Sequence, residues 1–206
     1  MDEKAMRRLS CGLFVLTAEE DGKDNGCIIN TALQVSSAPN RISICVSKEN
    51  LTHDMIRRTG GFTVSVLSEG AHFGIFERFG FHSGRDVDKF KDYSECIRGK
   101  NGILCITEGT NAYISAKVEM TEDVGSHTMF IGSVTDMEVL NDEPSATYEY
   151  YKNNIKPAPK PAEEASGKTV WRCIICGYEY EGEELPSDFI CPLCKHPASD
   201  FEKVIK

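Results

Sequence analysis

Trp171-Arg-Cys-Ile-Ile-Cys-Gly-Tyr178 and Ile190-Cys-Pro-Leu-Cys-Lys195 carry two Cys-x-x-Cys pairs, Cys173/Cys176 and Cys191/Cys194, with 14 residues between them. Four thiolates in two such pairs meet the demand of a tetrahedral metal ion. Each pair sits on a tight loop that points both sulfurs inward, and the gap is long enough to bring the loops together. The stretch therefore reads as a small fold built around a metal. On donor chemistry alone that metal is zinc or iron. Gly177, directly after the first pair, can turn backbone N–H groups toward the sulfurs. That matters most for a metal that changes charge. Pro192 lies inside the second pair, and Trp171, Tyr178, Tyr180, Phe189 and Phe201 can shield the site from water.

Working outward, Lys156-Pro-Ala-Pro-Lys-Pro-Ala-Glu-Glu-Ala-Ser-Gly-Lys168 alternates proline with small and charged residues. Such a segment is an extended, semi-rigid tether. It divides the chain into residues 1–151, a linker over 152–167 and a tail over 168–206. The net charge of −9 falls on both folded parts, −8 before the linker and −2 after it. That gives a nucleic-acid role no electrostatic support. The remaining cysteines, Cys11, Cys27, Cys45, Cys96 and Cys105, are scattered and odd in number. They read as buried small hydrophobes in a reducing compartment rather than a disulfide framework. Arg7-Arg8 precedes only a short apolar run, Leu13-Phe-Val-Leu16, and Glu19-Glu20-Asp21 follows at once. This is too short for a secretory leader, and no stretch approaches the ~20 apolar residues of a membrane span. A cytoplasmic protein is expected.

Residues 2–10 read as a short charged helix and Leu13–Ala18 as a strand. Glu20–Gly26 reads as a turn, followed by extended segments at Cys27–Asn30 and Leu33–Ser37. Arg41-Ile-Ser-Ile-Cys-Val-Ser47 and Phe62-Thr-Val-Ser-Val-Leu67 alternate with the period of half-buried strands. Between them Asn50–Arg58 reads as a helix, with Asn50 or Thr52 as N-cap and Gly60-Gly61 as its end. A second helix is expected over Ala71–Phe79, then a surface loop over 80–95. Three long extended segments follow between Ile103 and Leu140. Six or more strands with short helices predict a closed or partly closed antiparallel barrel.

The cysteine stretch, Cys-x-x-Cys-Gly-Tyr then Cys-Pro-x-Cys with flanking aromatics, resembles rubredoxin. The resemblance implies one iron held by Cys173, Cys176, Cys191 and Cys194. Two departures stand out: a shortened segment between the pairs, and Lys195 where the family has Gly. Three segments of the first part resemble the flavin reductase family, which implies an FMN-binding split β-barrel. They are Gly26-Cys-Ile-Ile-Asn-Thr-Ala-Leu-Gln-Val-Ser-Ser37, Cys45-Val-Ser-Lys-Glu-Asn-Leu-Thr-His-Asp54 and Gly125-Ser-His-Thr-Met-Phe-Ile-Gly-Ser-Val134. By that resemblance Asn30, Thr31, Gln34, Val35, Ser36, Ser47, Lys48, Asn50, Leu51, Thr52, His53 and Phe79 are the flavin-contact candidates. The amides after Ser47 would hold a phosphate at a helix N-terminus, and His127 would act where the nicotinamide docks. On residue chemistry alone, the Ser/Thr/Asn run is a turn, Lys48 a solvated charge and His127 an edge histidine.

The expected fold is thus mainly β: a split barrel with short helices plus a small rubredoxin-like iron domain. No Gly-x-Gly-x-x-Gly follows a strand, so NADH or NADPH would bind on the flavin face. The combination resembles flavin reductase–rubredoxin fusions. It implies an oxidoreductase that passes electrons from NAD(P)H through FMN, rather than FAD, to iron. The next acceptor would be a partner protein, by resemblance a flavo-diiron protein reducing O₂ or NO. A homodimer is also implied. Two other readings compete: a reductase that supplies free reduced flavin, and a non-enzymatic flavin-binding scaffold with a zinc ribbon.

Overall fold

The computed structural model describes residues 3–157, 169–174, 177–192 and 197–205. They fall into two compact units, Met1–Lys156 and Pro157–Lys206.

The first unit opens with a short 3-10 helix over Glu3–Arg8 and then strands buried on both faces. β1 (Phe14–Glu20) and β2 (Lys23–Ile29) form a hairpin in which Glu20 pairs with Lys23. Its turn is only Asp21-Gly22, both at positive φ (52° and 79°). Two such residues match the twist of the flanking strands. The longer turn expected over Glu20–Gly26 is therefore corrected: Lys23-Asp24-Asn25 is strand, with Asp24 paired to Arg98 and Asn25 to Thr52. β3 (Ala32–Ser37) and β4 (Asn40–Ser47) make a second hairpin around Pro39, with a bulge at Val35. β5 (Gly61–Leu67) follows helix α1 (Leu51–Thr59), which Gly60 closes at φ 72°. Helix α2 (Phe73–Gly80) starts two residues later than expected, because the His72 imidazole accepts the Gly74 N–H as its N-cap.

Downstream, the three long segments expected after Ile103 become one short strand and one long hairpin. β6 (Cys96–Arg98) pairs with β7 (Leu104–Ile106), while β8 (Thr110–Asp123) pairs with β9 (His127–Val139). The main sheet is antiparallel, in the order β2-β1-β5-β8-β9-β4-β3. Strands from both ends of that order share one core. Leu16, Cys27, Ile44, Val46, Phe62, Val64 and Phe130 pack together with Met55 and Ile56 of α1. The sheet must therefore curl on itself, which is the partly closed barrel. Each fully buried large side chain contributes roughly 1.5–3 kcal/mol.

A second core lies under α2, where Ile75, Phe76 and Phe79 meet Leu13, Val15, Leu67, Ile106 and Tyr151. Tyr151–Ile155 forms a π-helical turn whose Tyr151 ring stands 4.3 Å from Phe76. The barrel unit accordingly runs five residues beyond the expected boundary at Tyr151, because this turn still has apolar surface to bury.

The second unit is a three-stranded sheet, β11-β10-β12, made of β10 (Thr169–Cys173), β11 (Glu179–Glu181) and β12 (Phe201–Ile205). No described helix is long and apolar enough to cross a membrane.

Candidate functional site

Strand register brings three of the quoted segments to one end of the barrel. Ser47, the last residue of β4, pairs with His127, the first of β9. Thr31 reaches the same strand end, its hydroxyl donating to the Cys45 carbonyl at 2.9 Å while the Cys45 N–H donates to the Thr31 carbonyl at 3.2 Å. The Lys48 N–H donates to the Ser126 carbonyl at 3.1 Å, so the β4–α1 connection lies against the β8–β9 turn. α1 begins at once. Asn50 is its N-cap residue and makes no side-chain cap, so the first-turn amides of Leu51 and Thr52 lie ahead of the first intrahelical bond and face outward from the helix end. Such an end favours an anion.

The side chains around this end are largely spoken for. Lys48 Nζ donates to both Asp123 oxygens, at 2.7 and 2.8 Å. That pair, with the Gly125 N–H, holds the Asp123 carboxyl below the usual range. Thr52 is fully buried, its hydroxyl accepting from Asn25 Nδ2 at 2.9 Å. His53 is also buried, with Nδ1 2.9 Å from Asp54 Oδ1 and Nε2 2.8 Å from Thr128 Oγ1. Asp54 in turn accepts from Arg85 Nη2 at 2.7 Å. The Arg85 guanidinium, and after it His53, hold the Asp54 carboxyl low. His127 keeps a partly exposed ring, with Nδ1 2.9 Å from Ser126 Oγ.

The remaining candidates separate into two groups. Gln34, Val35 and Ser36 line edge strand β3, and Ser36 pairs with Arg41, six residues along β4 from Ser47. At ~3.3 Å per residue, these two ends of the row stand about 20 Å apart, the reach of an elongated ligand. Asn30 is exposed at the turn that leads into β3, and Gln34 Nε2 donates to Asn40 at 3.1 Å. Phe79 does not belong with them. Its ring is 1% exposed and packs edge-on to Tyr93 and obliquely on Phe90. It is a core residue because α2 turns Ile75, Phe76 and Phe79 to one side, leaving no aromatic face for a ligand.

Sequence reading missed Asn25, Asp54, Arg85 and Thr128. Arg85 belongs to the stretch over 80–95 read as a surface loop. That loop is anchored: Lys89 is buried and donates to the Gly26 carbonyl at 2.8 Å and the Phe79 carbonyl at 3.1 Å. Gly84 passes so close to Asn25 that an added Cβ would stand 2.1 Å from its Oδ1. A glycine between two polar residues, four before an Asp-Lys-Phe run, was the available signal.

In the second unit, the Cys173 and Cys191 thiols are enclosed, 1% and 0% exposed, and share a cluster with Phe201. Trp171, Tyr178, Tyr180 and Phe189 pack against it, with Phe189 4.8 Å from Tyr180 and 5.4 Å from Phe201. The Gly177 N–H donates to the Cys173 carbonyl and the Cys173 N–H to the Tyr178 carbonyl, both at 2.8 Å. Gly177 makes this reversal at φ 81°, a region that favours glycine. Ile190 bridges to Pro197, closing the loop that carries the second pair. Two soft donors inside an aromatic shell, at the bases of two closed loops, fit a thiolate-bound iron. Cys176, Cys194 and Lys195 lie outside the described residues, so the other half of the expected ligand set is placed by sequence alone.

Comparison with known proteins decides the family. The flavin reductase like domain matches residues 6–159. The chain belongs to the flavin reductase family. A rubredoxin-like domain of the rubrerythrin type matches residues 171–202 of this flavin reductase. The whole chain is similar to the high molecular weight rubredoxin of Moorella thermoacetica, 33% identical over 99% of this chain and 100% of that one. Its barrel is similar to the ferric-chelate reductase (NAD(P)H) of Archaeoglobus fulgidus, 40% identical over 73% of this chain and 89% of that one. Among solved structures it resembles the NADH:FAD oxidoreductase of Streptomyces globisporus, with a TM-score of 0.63, 26% identity and coverage of 71% and 88%. The barrel is therefore a flavin-binding reductase fold, and the tail a rubredoxin-like iron module.

Proposed function

We propose that this chain is an electron-transfer oxidoreductase that carries electrons from NAD(P)H to an acceptor protein, with FMN in the barrel and one iron in the tail. The observation that carries this reading is the joining of both modules in one chain, matched along its full length by a high molecular weight rubredoxin. Bound FMN supplies the chemistry that takes two electrons and returns them singly, and a four-thiolate iron supplies a one-electron carrier.

The residues divide that work. The first-turn amides of α1 hold the flavin phosphate, and Asn50 crowns that end. Asn30, Thr31, Ser47 and the row Gln34-Val35-Ser36 on β3 support the elongated remainder. Lys48 keeps the β8–β9 turn against the α1 end through Asp123, so its charge reaches a phosphate only in part. His127 stands at the strand end with an exposed edge, where it orients the nicotinamide. Cys173, Cys176, Cys191 and Cys194 hold the iron, and the aromatic shell excludes water from it. The acceptor is a flavo-diiron protein, and a second copy of the chain completes a homodimer. The bulged β3 edge, with Leu33 and Val35 exposed, supports that pairing.

Anaerobic stopped-flow mixing with NADH tests the reading. Flavin absorbance is expected to bleach first, and the thiolate-to-iron bands afterwards. A colourless protein from its native source, or bands that do not respond to NADH, would overturn it.

A further inference from the structure

The barrel site contains a hydrogen-bond chain that neither phosphate binding nor iron ligation uses. It runs from Arg85 to Asp54, from Asp54 to His53, and from His53 to Thr128, with links of 2.7, 2.9 and 2.8 Å. Its last link joins residues 75 positions apart. His53 sits in the first turn of α1, where the phosphate end is expected. Thr128 is the second residue of β9, directly after His127. His53 and Thr128 are 3% and 5% exposed, so neither is placed to touch a ligand.

The chain has a direction. Arg85 can only donate, so Asp54 accepts from it. An ionised Asp54 also accepts from His53, which puts the ring proton on Nδ1. With the ring neutral, Nε2 is then the acceptor and the Thr128 hydroxyl the donor. The Arg85 guanidinium keeps Asp54 ionised by holding its carboxyl low. The ring is also braced by Phe130, 5.7 Å away between centroids.

We propose that His53 and Thr128 are positioning residues for the reaction, fixing the start of β9 and thereby the direction of His127. The reason is strand geometry. Side chains alternate along β9, so Thr128 turns inward while His127 and Met129 turn out. This strand end follows a turn through Gly125 at φ 97°, and strand ends beside turns fray. An inward tether one residue from His127 removes that freedom. Because the tether starts on α1, the phosphate end and the nicotinamide side are held in one register. The loop over 81–95 contributes by presenting Arg85, and Lys89 roots that loop on the Gly26 and Phe79 carbonyls. His53 accordingly leaves the set of flavin contacts and joins the residues that aim one.

This inference rests on the proposed NAD(P)H reading, and the experiment separates the two. Thr128→Val removes the hydroxyl at nearly constant shape. It is expected to slow NADH-driven flavin reduction at saturating NADH about tenfold, with FMN affinity within about twofold. Thr128→Ser restores the rate, and His53→Gln combined with Thr128→Val is no slower than the worse single variant. In the flavin-free protein, imidazole ¹⁵N–¹H correlations should show His53 protonated on Nδ1, and Thr128→Val should displace the His127 signals. If wild type reacts with NADH and Thr128→Val matches it, or the two losses simply add, the positioning role is wrong. A His53 proton on Nε2 overturns the directed chain whatever the rates. A wild type that NADH does not reduce removes the parent reading as well.

Discussion

The two functional regions are built by opposite means. The barrel site is assembled from residues far apart in sequence, held by separate long-range links: Lys48 with Asp123, Thr52 with Asn25, His53 with Thr128. The tail site is local. Among the described residues its buried cluster is Cys173, Cys191 and Phe201, and two of the three are expected metal ligands. A unit this small cannot stand on its apolar burial. The barrel carries a large core of its own beneath its site. So the barrel should be a folded protein that receives a cofactor, and the tail a cofactor-dependent fold.

Removing the metal breaks that comparison hardest. Structural four-ligand sites supply folding free energy on the order of 10 kcal/mol, so Cys191→Ser or chelation should unfold the tail and leave the barrel's melting unchanged. The chain's single tryptophan, Trp171, lies in the tail and reports it alone by fluorescence. The same treatment should abolish reduction of the acceptor protein while NADH-driven reduction of small acceptors persists. Co-operative melting of both units together would refute the contrast.

Next in size is the barrel's core. Phe62 is fully buried where β5 meets the shared core, and Phe62→Ala should cost about 3–5 kcal/mol in urea unfolding. Trp171 fluorescence should not follow that transition. His127→Ala sharpens the barrel site itself. Flavin reduction by NADH should slow at least tenfold, of the order a positioned side chain contributes, while FMN affinity measured by fluorescence titration changes little. The reverse pattern would make His127 part of the flavin cradle.

The smallest effect concerns Lys89. Burial, with no carboxylate partner among the described residues, lowers its pKa from 10.5. The unfolded chain then holds the Lys89 proton to higher pH than the folded one, so its contribution favours folding increasingly as pH rises toward 10.5. Barrel stability should climb in that window, and Lys89→Met should flatten the slope in pH-dependent urea melts. An unchanged slope would mean that the ammonium is hydrated in solution.

How far sequence reading reached follows from the same contrast. Gly60 and the alternation of Arg41–Ser47 were readable because turn chemistry and strand period are local, whereas the turn at Asp21-Gly22 was read too long. Phe79 was misassigned because a helical aromatic looks alike whether it lines a core or a cofactor. Arg85 and Asn25 went unseen because Gly84, the one local signal, shows its close approach to Asn25 only once the fold brings them together. His53 was singled out, but as a contact, because its partner Thr128 lies 75 positions away.

The sequence by itself determined the Cys-x-x-Cys spacing and most strands of the barrel, because residue spacing and side-chain period act over a few residues. Only the tertiary structure decided which end of the barrel the polar segments share, and which of their side chains are already engaged. Those outcomes depend on pairing strands such as β4 and β9 across 80 or so residues. A one-residue change in that register would turn Thr128 out and His127 in.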